Sequence, residues 1–78
     1  MSLNIHIGQL VSQEMKRQGR TATWLASQIP TNRTNVYAIL RRRNIDPELL
    51  MRLSEILGHN FFSDLSIEAE QRIACLKM

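Results

Sequence analysis

The chain has 78 residues, 44% of them hydrophobic, with three glycines, two prolines, one cysteine and a formal net charge of +3. So short a chain holds one modest core, which excludes a two-domain enzyme, and the scarcity of glycine and proline argues for helices over many short strands. The lone Cys75 excludes an internal disulfide framework and a multi-cysteine zinc site; no apolar run reaches the ~18 residues of a membrane span, and MSLNIHIGQL lacks the layout of a signal peptide.

The first helix is predicted from about Asn4 to Gln18. Ile7, Leu10, Val11 and Met15 recur at helical spacing. Gly19 is the stop, with Lys16 and Arg17 in the last turn, where cations suit the helix dipole. A second, short helix begins near Thr21, a good N-cap, and buries Ala22, Leu25, Ala26 and Ile29 until Pro30 ends it. Trp24 lies off that face and is expected against a neighbouring helix. The third helix starts at Asn32, after a connection of about three residues, Pro30 to Asn32. Val36, Ile39 and Leu40 point inward; Arg33, Thr34, Tyr37 and Arg41 point outward. The fourth has an Asp46 N-cap, Pro47 at the first helical position and Glu48 in the first turn, then Leu49, Leu50, Leu53, Ile56 and Leu57 before Gly58. Phe61, Phe62 and Leu65 are expected on one further turn covering the core. SIEAEQRIACLKM reads either as a terminal helix or as a frayed tail. The organisation expected is a domain over residues 1–65 and a tail over 66–78.

Charge is segregated along the chain. Between Met15 and Ile45 stand Lys16, Arg17, Arg20, Arg33, Arg41, Arg42 and Arg43, with no Asp or Glu. From Asp46 onward six acids face three bases. A basic face on a small domain attracts polyanions, nucleic acid first among them.

Two short helices joined by a brief turn form a helix-turn-helix pattern. Ala26 has to be small where the two helices cross, and Val36 and Ile39 have to be apolar to seat the second helix on the core. The stretches TATWLASQIPTNRTNVYAIL (21–40) and IDPELLMRLSEILG (45–58) resemble the phage-repressor/Cro-like helix-turn-helix family, also called the xenobiotic-response-element type. The likeness lies in Leu25-Ala26, in Val36 and in the leucine-rich fourth helix, and covers roughly Ile7 to Leu65. The sequence departs from the family in having Ala22 where glutamine is usual, Pro30 where glycine is usual and Thr31 where valine is common. The resemblance implies an all-α, compact four- to five-helix phage-repressor-like fold with a helix-turn-helix. It also implies a sequence-specific double-stranded DNA-binding regulator, a repressor by preference, whose recognition helix runs from about Asn32 to Arg41.

In that docking mode the N-terminal residues of the recognition helix meet base edges. Arg33 and Thr34 are placed there, and arginine can pair with guanine O6 and N7. A solvated arginine is a poorer explanation, because a helix N-terminus disfavours a cation. Tyr37, one turn on, either touches a thymine methyl or a phosphate, or rests on a neighbouring helix. Asn32 and Asn35 serve the helix start and the DNA backbone. Thr21 or Thr23, at the start of the second helix, is a candidate phosphate contact. Arg41, Arg42 and Arg43, with Asn44, form a cluster for the phosphate backbone, although cations at a helix C-terminus are favourable in any case.

His6, His59 and Cys75 show no metal-ligand spacing, and neither a metal nor a cofactor is expected. No nucleophile–base pair and no glycine-rich phosphate loop can be argued, so no enzyme is expected. The partners expected are a pseudo-palindromic DNA operator and a second copy of the chain, with His59 to Leu65 or the C-terminal stretch as the dimer surface. The location expected is cytoplasmic, on the nucleoid. The alternative is an antitoxin-like or accessory module that binds a small protein partner, with or without DNA.

Overall fold

The computed structural model describes residues 5–76. Five helices follow in chain order: α1 (Ile7–Gln18), α2 (Ala22–Gln28), α3 (Arg33–Leu40), α4 (Pro47–Leu57) and α5 (Phe61–Leu76). No strand occurs among the described residues.

Each of the first four helices starts on a local cap. Thr21 Oγ1 accepts from the Trp24 amide at 3.1 Å, Asn32 Oδ1 from Asn35 at 2.7 Å, and Asp46 Oδ2 from Leu49 at 3.0 Å. These acceptors satisfy amides that have no partner inside the helix. α1 differs from the sequence expectation of a start near Asn4. Ile5 and His6 are not helical, and the His6 ring Nδ1 caps the helix by accepting from the Gln9 amide at 3.0 Å. Asn4 itself lies outside the described residues. Gly19 and Gly58 close α1 and α4 with φ of 71° and 64°, a left-handed conformation open to glycine at little cost.

The connection between α2 and α3 is four residues, 29–32, rather than three. α2 stops at Gln28 because Ile29 precedes proline and leaves the helical region, at φ −111° and ψ 50°. The Thr31 amide then reaches back to the Ala26 carbonyl at 3.0 Å. No residue of this turn has positive φ, so proline is compatible with it.

Val11, Leu25, Val36, Leu50, Leu53 and Phe61 are the largest side chains fully removed from solvent, with Met15, Ala26, Ile29, Ile39, Ile45 and Leu57 around them. α3 packs on both α1 and α2, while α4 joins α1 to α5. Ala26 is buried on α2, which packs against α3.

α5 is a continuous sixteen-residue helix rather than one covering turn. Phe61 is buried and Phe62 and Leu65 pack partly against the core, but every residue from Ala69 to Leu76 is exposed. The longest axis of the molecule is 46 Å against 23 and 21 Å for the others, as a body with one projecting helix would give.

Candidate nucleic-acid interface

The basic segment is positioned by an unusual helix start. The first two amides of α1 donate to carbonyls just past α3: Ile7 to Arg43 and Gly8 to Arg42, both at 3.0 Å. The two segments can meet only because residue 8 is glycine. A Cβ there would lie 2.3 Å from the Leu40 oxygen and 2.6 Å from the Arg42 oxygen. The chain carrying Arg41, Arg42 and Arg43 is thereby tied to the start of α1 rather than left as a free loop.

α3 has two sides. Val36 and Ile39 are buried and fasten it to the core, whereas Arg33, Thr34 and Tyr37 face solvent, with Tyr37 50% exposed. Arg41 caps the helix end, its Nε donating to the Tyr37 carbonyl at 3.3 Å. Arg42, Arg43 and Asn44 follow and are exposed. Among the described residues no carboxylate lies within ion-pair distance of Arg33, Arg41, Arg42 or Arg43; the arginines that are paired are Arg17, with Glu14, and Arg72, with Glu68. Four arginines on one short stretch thus keep their charge unneutralised.

The remaining candidates divide. Asn32 is engaged as the α3 cap and Thr21 as the α2 cap, each through its side-chain oxygen. Thr23 is exposed on the first turn of α2. The Asn35 Nδ2 donates to Thr31 Oγ1 at 2.9 Å, which pins both side chains at the turn. Thr31 and Asn35 share an open groove with Arg42 and with Arg52 of α4. Arg52 was not among the residues singled out by sequence, because it sits in the acidic half of the chain and only the fold carries it to this groove.

In the sequence Arg20 stands out only as one charge of the basic segment. Its guanidinium lies over the Trp24 ring, 4.3 Å from the centroid, a cation–π arrangement. Trp24 itself is partly buried against the core, which agrees with its place off the main α2 face.

A second polar cluster went unread in the sequence. Glu14 of α1 is buried, at 7% exposure. Its carboxylate accepts from Arg17 Nε at 3.0 and 3.1 Å, from Arg17 Nη2, and from Gln18 Nε2 at 2.7 Å. The Gln18 amide also donates to the Leu57 carbonyl at 2.7 Å, joining α1 to the end of α4. His59 Nδ1 lies 3.7 Å from Glu14, its Nε2 lies 2.8 Å from Asp64, and its ring meets Phe61 edge-on. The hydrogen bonds from Arg17 and then Gln18 outweigh burial and hold the Glu14 carboxyl down at about 2. The cluster is a structural tie between α1, α4 and α5.

Among the described residues no group of three or more His, Cys, Asp or Glu side chains is arranged to hold a metal ion. No described helix is long and apolar enough to cross a membrane. Comparison with protein-family models, with curated proteins and with solved structures finds no significant match.

Proposed function

We propose that this chain is a sequence-specific double-stranded DNA-binding regulator of the phage-repressor-like helix-turn-helix kind, with α2 and α3 as the motif and α3 as the recognition helix. The observation that carries the reading is the outward side of α3. Arg33, Thr34 and Tyr37 stand exposed on a helix whose opposite side is seated on the core, and the row runs directly into Arg41, Arg42, Arg43 and Asn44. An eight-residue helix is about 12 Å long, comparable to the width of the major groove. Arg33 in the first turn faces base edges, and the arginines at the far end reach phosphates. Thr23 and the groove arginine Arg52 extend the backbone contacts. One such module reads few base pairs, so two copies on a pseudo-palindromic site are part of the proposal.

The test is selection of bound sequences from random duplex DNA by the purified chain, followed by the salt dependence of binding to the winner. If each copy neutralises three or four phosphates, log K falls against log salt with a slope of roughly −5 to −7 for a dimer. An unenriched pool, or a slope shallower than about −2, sinks the reading. It would turn attention to the other one, a module for a small protein partner, which the exposed Ile67, Ile73 and Leu76 of α5 favour.

A further inference from the structure

We propose that α5 is a self-association helix, and that its occupant is α5 of a second copy, packed antiparallel about a two-fold axis at Ala69. Phe62, Leu65, Ala69, Ile73 and Leu76 fall within an arc of about 80° on the helix surface at 3.6 residues per turn. The root of this stripe, Phe62 and Leu65, is partly covered by the chain's own core. Its outer half is bare: Ile73 is 51% exposed and Leu76 86%. The core never needed this half, since α5 runs beyond the body that α1 to α4 form.

Two observations select a second copy over an unrelated partner. The first is that the stripe reads the same in both directions from its centre: Leu65 and Ile73 stand four residues either side of Ala69, and Phe62 and Leu76 seven. A two-fold axis at Ala69 therefore sets Leu65 against Ile73 of the other copy and Phe62 against its Leu76, apolar on apolar throughout. The residue on the axis is the small one, which lets the two helices approach closely. Self-complementarity of this kind is what a two-fold interface demands.

The second observation is charge. Glu68 and Arg72 line one flank of the stripe, 3.6 Å apart within the same helix. About the same axis Arg72 of each copy comes level with Glu68 of the other, offset by about 3 Å along the helices, so the flank can form two ion pairs between copies. Beside that flank Ile5, Ile7, Leu65 and Ala69 line an open cleft together with Arg43 and Asn44. The far end of the second α5 would rest along it. Such a dimer is the symmetric unit that the DNA-binding reading calls for; its test uses protein alone, so either idea can fail without the other.

The chain should show a reversible monomer–dimer equilibrium by sedimentation without DNA, over roughly 1 μM to 1 mM. Ile73→Asp should weaken the dimer by about tenfold or more, with helix content and thermal transition matching the parent's at dilutions where both are monomeric, because the side chain lies on the exposed part of α5. In a Cys75→Ser background, Ala69→Cys should form an intermolecular disulfide on mild oxidation, and Ile67→Cys, on the opposite side of α5, should not. A chain that stays monomeric throughout, or a dimer that Ile73→Asp leaves intact, overturns the proposal. Equal cross-linking from positions 67 and 69 overturns the register.

Discussion

The Gly8 amide donates to the Arg42 carbonyl at 3.0 Å, and the Gly8 Cα comes so near that a methyl group on it would sit 2.6 Å from the same oxygen. Helix α1 thus fixes the backbone of the arginine cluster. An exposed helical Gly→Ala change gains up to about 1 kcal/mol from helix propensity. Gly8→Ala should have the opposite sign. The obstructing atoms are backbone oxygens of Leu40 and Arg42, which move only with the segment that carries them, and overpacking of this kind costs about 1–3 kcal/mol. Urea denaturation of the variant measures it; a gain in stability would show that the close approach does not exist.

Acid should act on the protein through Glu14. Hydrogen bonds from Arg17 and Gln18 hold its carboxyl at about 2, against an ordinary 4.5. The folded state therefore binds this proton less readily than the unfolded chain does. Stability from Glu14 is fully present above pH 4.5 and is lost progressively as pH falls from 4.5 toward 2. Glu14→Gln keeps the shape and removes the titration. Denaturant midpoints taken across this window should fall less steeply for the variant than for the parent. Parallel curves would mean that Glu14 is not the group responsible.

Val36 has no solvent exposure and lies where α3 meets the core. Val36→Asp places an unpaired charge there, at a cost of several kcal/mol. Domains of this size have total stabilities near the lower end of about 5–15 kcal/mol, so the variant should be unfolded at room temperature. Circular dichroism on heating decides it, and a retained cooperative transition would show that the inward side of α3 is drawn wrongly.

Legibility followed the range of the interaction. The caps Thr21, Asn32 and Asp46 could be read because each acts on an amide three residues away, and Gly19 and Gly58 because a left-handed stop is a one-residue matter. The inward row Val36, Ile39 and Leu40 follows from helical period alone. The start of α1 misled because Asn4 is the better cap by residue type, whereas the ring of His6 does the capping. The extent of α5 could not be read because Ala69, Ile73 and Leu76 continue its period without a body to cover them. Gly8 and Glu14 depend on segments more than thirty residues away, at Arg42 and His59. Glycine inside a helical pattern is a hint of close packing, but it does not say against what. Arg52 reached the basic groove only through the placing of α4.

Arg33→Ala and Arg42→Ala should fail in different ways. Both side chains are exposed and neither has an acidic partner among the described residues, so neither change should alter stability by more than about 0.5 kcal/mol. Each removes one positive charge, and non-specific affinity for DNA should fall by a similar small amount in both. Arg33 stands in the first turn of α3, the end that meets base edges in the proposed docking. A good bidentate contact discriminates by about 1–3 kcal/mol, and its loss should relax preference at one base pair of each half-site while the others keep theirs. Arg42 sits past the other end, its carbonyl held by Gly8 and its side chain beside Arg52 in the groove at the turn. Contacts from there position the protein without reading sequence. Its loss should weaken every sequence about equally and leave the preference profile unchanged. Affinity measured for each variant across a panel of single-base changes in the selected site separates the two. If Arg33→Ala keeps the full preference at every position, α3 does not enter the groove by its N-terminal end, and the base-reading role has to move along the helix toward Tyr37.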